Sequence, residues 1–183
     1  MKKNIILIFF CFFILNLNAQ KKEPNATTPK VYAIDSTKVF TLDKTIKTLY
    51  ESISGEKDSI RNWGEFKLLF KPDAKLIPSG KDKKGVYQVK YLSPEDYIKT
   101  SGKWLLKNGF IEKEIHRTVS SFGNIKHVFS TYEAYHSASD LHPFMRGINS
   151  IQLLNDGKRW WIINIYWTHE TFENPIPKIY LPK

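Results

Sequence analysis

The stretch from Arg146 to Trp167, R-G-I-N-S-I-Q-L-L-N-D-G-K-R-W-W-I-I-N-I-Y-W, limits the folds open to this chain more than any other. Two runs rich in β-branched and aromatic residues flank Asn155-Asp156-Gly157-Lys158, and Asp-Gly between such runs is a strong short-range hairpin signal. The second run is apolar on both faces. Strict alternation puts Trp161, Ile163, Ile165 and Trp167 on one side and Trp160, Ile162 and Tyr166 on the other. A surface strand normally alternates apolar with polar residues. Here both faces need cover, so one is expected to meet helices and the other a second chain or a tail.

At 183 residues one domain is expected, at 38–170, followed by a proline-containing tail at 171–183. The start resembles a secretory signal peptide: Met1-Lys2-Lys3-Asn4, an apolar run from Ile5 to Leu15, and Ala19 for cleavage. The run is shorter than the ~20 residues a membrane span needs, so an exported, periplasmic or extracellular protein is expected, without stable membrane insertion once the signal is cut, with an uncleaved N-terminal anchor as the alternative. Cleavage would remove Cys11, the only cysteine, leaving no disulfide, thiol nucleophile or thiolate metal site. Residues 20–37 are polar, carry Pro24 and Pro29, and read as a flexible lead-in. The formal charge of +10 comes from scattered lysines, without an arginine cluster or RNA-binding motif, so nucleic acid is not an expected partner.

Leu42, Ile46, Leu49, Tyr50 and Ile53 recur at helical spacing ahead of Gly55, predicting a first helix. Asn62 with Glu65 resembles a capping box, and Trp63, Phe66, Leu69 and Phe70 form the stripe of a second helix ended by Pro72. Short strands are predicted at Ala74–Ile77, stopped by Pro78-Ser79-Gly80, and at Val86–Leu92. Ser93-Pro94-Glu95-Asp96 opens a third helix that Asn108-Gly109 closes. Strands follow at Phe110–Phe122 and Ile125–Tyr135, then a loop at His136–Pro143 and the hairpin.

This order of elements, with W-x-x-F-x-x-L-F-x-P-D-A at Trp63 to Ala74 and N-D-G-x-x-W-W-I at Asn155 to Ile162, resembles the nuclear transport factor 2-like superfamily in its SnoaL-like and ketosteroid-isomerase-like branch, over about Thr41 to Trp167. The resemblance implies an α+β fold, a curved, mostly antiparallel mixed sheet wrapped around three helices, with an apolar pocket and dimers through the outer face of the sheet. Fold does not give function, since the superfamily holds isomerases, dehydratases, epoxide hydrolases and binders. The isomerase pattern places its general base five residues after the aspartate of P-D-A. That aspartate is Asp73, and the position is Pro78, which cannot take a proton. The pattern's protonated acid falls at Asn149, whose amide can donate a hydrogen bond to a ligand oxygen.

The expected ligand-binding set is Trp63, His116, Tyr132, Asn149, Trp161 and Trp167, with Thr118 and Ser130 on the same face, for a small, largely apolar molecule. A one-residue bulge would move such assignments to the other face. Enzymatic use of His116 with Tyr132 and a dimeric interaction module are the alternatives. His136, Asp140 and His142 match no standard zinc spacing, and neither a G-x-S-x-G elbow nor a Gly-rich phosphate loop is present, so no metal or cofactor is expected.

Overall fold

The computed structural model describes residues 34–183. The expected signal peptide and most of the lead-in lie outside them. The last lead-in residues already belong to the fold: Asp35 caps a 3-10 turn at Ser36–Val39, and Val39 is fully buried.

Helix α1 (Leu42–Ile53) starts at Thr41, whose hydroxyl accepts from the Lys44 amide, and buries Ile46, Leu49, Tyr50 and Ile53 along one stripe. Helix α2 (Trp63–Leu68) is capped by Asn62, which accepts from the Glu65 amide at 3.2 Å. Only half of the capping box forms, because the Glu65 carboxylate pairs with Lys38 at 2.8 Å instead. Helix α3 (Pro94–Asn108) carries a full box between Ser93 and Asp96 and ends at Gly109. Gly109 has φ +70°, and a Cβ there would stand 2.2 Å from the His136 carbonyl oxygen, so only glycine fits.

Six strands follow the order β2-β1-β6-β5-β4-β3, namely β1 (Phe70–Lys81), β2 (Tyr87–Val89), β3 (Ile111–Phe122), β4 (Ile125–Tyr135), β5 (Met145–Asn155) and β6 (Trp160–His169). Only β1 with β6 is parallel. The result is a curved, unclosed mixed sheet around three helices. Residues on its inner face, such as Val128, Ile151, Leu153, Ile162 and Ile165, pack with Leu49, Phe66 and Leu105 into one core.

Two predictions about strand ends are corrected. The chain enters β1 at Phe70, and β1 runs through Pro78 to Lys81 instead of stopping. Pro72 falls where the β1–β6 register shifts, and Pro78 still accepts from the Lys90 amide through its carbonyl, so neither proline breaks the strand. The second short strand contracts to Tyr87–Val89, with an isolated bridge between Leu76 and Leu92.

The loop at Glu56–Arg61 holds a buried cation. Arg61 is 4% exposed and donates to the carbonyls of Ile53, Gly55, Glu56, Ser59 and Leu105. These include carbonyls at the C-terminal ends of α1 and α3, where a helix lacks donors and its dipole favours a cation.

The C-terminal tail lies on the outer face of the sheet. Thr131 donates to the Tyr180 carbonyl at 2.7 Å, the Phe129 and Tyr180 rings sit 4.9 Å apart, and Ile176 is buried. Glu170 fastens the turn that leads there, accepting from Arg146 at 2.7 Å and from the Ile176 amide at 2.9 Å. Of the two covers the doubly apolar strand required, helices supply one; the tail's hydrogen bond and ring contact are on β4, and Tyr166 on the outer face of β6 stays exposed. Among the described residues no helix is long and apolar enough to cross a membrane.

Candidate functional site

Two bulges decide what faces inward. Along β3 and β4, Glu114 stands opposite Tyr132 and His116 opposite Thr131, so Ile115 is an extra residue. Along β5 and β6, Gln152 stands opposite Asn164 and Leu153 opposite Ile162, so Ile163 is extra. Each bulge flips the alternation beyond it.

Strand β6 therefore turns Trp167 and Ile165 inward as expected, but then Ile162 and Trp160 rather than Trp161 and Ile163. Ile162 is fully buried and Trp160 packs on the core. Trp161 lies on the other face, between the Arg159 guanidinium at 3.5 Å and the Lys71 ammonium at 4.4 Å from its ring centre. Its indole donates to Asp156, and that bond, with two backbone amides, holds the Asp156 carboxyl down to about 2. His116 and Thr118 are likewise on the outer face, opposite Thr131 and Phe129. Trp63 packs edge-on against Phe66 and lies beside Gly102 of α3, outside the cavity lining. The structure gathers Tyr132, Asn149 and Trp167 of the expected set around one cavity, and not Trp63, His116 or Trp161.

That cavity, about 190 Å³, lies between the inner face of the sheet and the helices. Leu49, Phe66, Leu76, Tyr97, Ile165 and Trp167 give it apolar walls, and Glu112, Tyr132, Asn149 and His169 bring polar groups. Trp104 and Met145 also line it, and Trp104 is partly open to solvent.

Asn149 donates one amide hydrogen to Glu112 Oε1 at 3.1 Å and the other to the Tyr50 hydroxyl at 3.2 Å. Both donors are engaged, so the amide is not free to hold a ligand oxygen. The Tyr50 hydroxyl lies 2.7 Å from Ser130 Oγ, and Ser130 donates onward to Glu114. Glu114 takes a two-pronged contact from Arg117, which also reaches Asp43 at 2.7 Å. A hydrogen-bonded chain thus runs from Glu112 at the cavity to Asp43 at the surface.

Glu112 and Glu114 are neighbours on one face of β3 with opposite surroundings. Glu114 has a guanidinium. The carboxyl of Glu112 has one hydrogen-bond partner among the described residues, the neutral Asn149 amide. Burial pushes it up to about 8, and the amide bond opposes that only in part. At neutral pH the acid is mostly protonated, and its second oxygen can donate.

Also on the sheet side of the cavity, the Tyr132 hydroxyl lies 2.8 Å from His169 Nδ1. Burial, then the nearby Glu112 charge, drives the Tyr132 phenol far above its ordinary value. His169 sits on the rim with one edge in solvent, and desolvation of the other edge holds its imidazole below the usual range. Gly147 makes this pair possible: a Cβ there would stand 2.5 Å from the Tyr132 hydroxyl and 2.5 Å from the Thr168 carbonyl oxygen.

The loop histidines are not grouped as metal ligands. Asp140 accepts the backbone amides of His136 and Ser137, and His136 stacks on Phe144 at 4.0 Å. Among the described residues no cluster of three or more histidine, cysteine or acidic side chains could hold a metal.

Glu112 and His169 were missed in the sequence. The alternation that put His116 inside puts Glu112 and Glu114 inside too, so two carboxylates were already implied on the cavity face. His169 is the next residue of the alternation that turns Trp167 inward, at the last position of β6 opposite Gly147.

Scans of protein-family models and curated proteins give no match. Solved structures do. A protein of unknown function with a cystatin-like fold from Nostoc punctiforme aligns with a TM-score of 0.54 at 10% identity, over 72% of this chain and 90% of that one. An NTF-2 like protein of unknown function from Silicibacter pomeroyi aligns at 0.51 and 13%, over 70% and 92%. This is the nuclear transport factor 2-like fold. The protein LinA shares the fold with a TM-score of 0.51 at 9% identity, over 76% of this chain and 89% of that one. In the nuclear transport factor 2-like fold of the present chain, Pro78 is a strand residue paired with Trp167.

Proposed function

We propose that the cone binds a small, largely apolar ligand carrying one hydrogen-bond acceptor, with protonated Glu112 as the donor that reads it. One observation carries this reading. A carboxyl sits in an apolar chamber with a neutral amide in place of a cation, and an acid held neutral in that way can donate a hydrogen bond. Asn149 orients Glu112 rather than touching the ligand. Trp167, Tyr97 and Phe66 supply apolar contact.

The test compares an aromatic ketone with the matching hydrocarbon, acetophenone with ethylbenzene, by tryptophan fluorescence titration. Glu112→Leu removes the donor at similar volume. It is expected to weaken the ketone roughly tenfold, about 1.4 kcal/mol, and to leave the hydrocarbon unchanged or tighter. A ketone preference that survives Glu112→Leu refutes the assignment, and a wild type that binds neither molecule refutes the ligand class.

A second reading is acid–base catalysis on such a ligand, favoured by the Tyr132–His169 hydrogen bond in the same cavity lining as Glu112. His169 takes the part that the sequence suggested for His116. Turnover of a ketone or alcohol substrate that survives His169→Ala counts against it.

A further inference from the structure

We propose that the rim of the cavity is a docking surface for an anionic lipid bilayer, from which the apolar ligand enters. The proposal rests on the ligand-binding reading for its purpose, though not for its test.

The rim is built from the second half of α3 and the loop before β5. Trp104 is 46% exposed, Phe144 42% and Leu141 89%. The Trp104 ring lies 6.5 Å from that of Phe144 and 6.2 Å from that of His136, and Trp104 itself lines the cavity. Exposed aromatic surface is therefore continuous with the apolar interior. Monomers rarely expose such patches without a partner for them, and aromatic rings suit the boundary between lipid and water.

Charge identifies the partner. Lys99, Lys103 and Lys107 recur every fourth residue on α3 and are all exposed, so they form one ridge, with Trp104 next to Lys103. Between Asp96 and Glu112 the chain carries these lysines and no carboxylate. Between Asp140 and Asp156 it carries no carboxylate, and its one lysine or arginine there, Arg146, is paired with Glu170. Carboxylates do lie near the rim: Asp140, which accepts the amides of His136 and Ser137, Glu56, which accepts that of Ala138, and Asp58, whose backbone amide bonds the Leu106 carbonyl, so the lysine ridge carries the positive face of the rim. An apolar patch edged by lysines matches a surface of anionic headgroups over acyl chains. A neutral or cationic partner would leave the ridge unmatched. The whole chain, at +10, adds long-range attraction to the same surface.

The full chain is tested on vesicles of phosphatidylcholine and phosphatidylglycerol in equal parts, with brominated acyl chains as a contact quencher of tryptophan. The apolar run Ile5 to Leu15 can hold the chain on a bilayer by itself, so the readout is at Trp104. Wild-type emission is expected to be quenched more strongly than that of Trp104→Phe. Charge reversal at both Lys103→Glu and Lys107→Glu, which leaves Trp104 in place, is expected to raise the lipid concentration for half-maximal quenching at least roughly tenfold. Vesicles of phosphatidylcholine alone are expected to leave Trp104 unquenched. Equal quenching of wild type and Trp104→Phe overturns the proposal, as does a double reversal quenched like wild type or equal quenching on neutral vesicles. Variants that change self-association in sedimentation but not quenching also overturn it, in favour of a second copy on the rim. Quenching that persists while neither acetophenone nor ethylbenzene binds removes the ligand reading and leaves the docking surface standing.

Discussion

Glu112 is raised in the folded protein, and this has a definite sign. Its carboxyl titrates near 4.3 when unfolded and at about 8 when folded, so between those values the folded state holds more of the proton. Stability then falls as pH rises through that window and levels off above it. Thermal melts from pH 5 to 9 are expected to show this decline in the wild type and a flatter profile in Glu112→Gln, which stays neutral throughout. A second residue-level test concerns Gly147. Gly147→Ala forces its Cβ against the Tyr132 hydroxyl and the Thr168 carbonyl, and overpacking of this kind costs about 1–3 kcal/mol. The expected outcome is a lower melting temperature together with weaker ketone binding. Gly80→Ala, where a Cβ would meet open space and the backbone is not left-handed, tests whether any loss is specific to the crowded site.

At the scale of elements, Arg61 joins what the sequence shows only as separate pieces. One guanidinium satisfies carbonyls from α1, from the loop after it and from α3. Arg61→Met keeps the apolar stem and abandons the buried acceptors of Ile53 and Leu105, each of which costs about 1–3 kcal/mol when left without its partner, while the Gly55 carbonyl keeps the Phe110 amide. A net loss of roughly 3 kcal/mol is expected, or about 6–12 °C in calorimetry. Helix α3 offers a milder comparison. Ser93→Ala removes one cap, with an expected cost of about 1 kcal/mol. The helix signals in the sequence were local and chemical: Asn62 and Ser93 cap and Gly109 stops where they stand, while the cap at Thr41 is visible only in the structure. Strand ends were less legible: Pro78 stands opposite Lys90 and lacks the reciprocal donor, yet the bond its carbonyl accepts from the Lys90 amide and its pairing with β6 carry β1 through it.

For the whole molecule, the tail and the sheet form one unit. Truncation after Asn174 removes Ile176 and Tyr180 from their places over Phe129 and Thr131. It would leave the outer face apolar and open along β4 and β5. A lower melting temperature and concentration-dependent association in sedimentation velocity are the expected results. A truncated chain as stable and as dispersed as the full one would show that the tail contributes little.

The sequence by itself determined the element order, the hairpin at Asp156-Gly157, the helix caps and the superfamily resemblance, because each depends on residues close together along the chain. It also placed Tyr132, Asn149 and Trp167 on the inner face, since alternation holds along any unbroken ladder. Only the tertiary structure decided the rest of the site. The extra residues Ile115 and Ile163 carry no mark of their own, since a bulge is set by how two strands fit one another. Those two residues move His116 and Trp161 out and bring Ile162 in. The proton on Glu112 likewise depends on which groups surround it after folding, an amide from β5 and no cation.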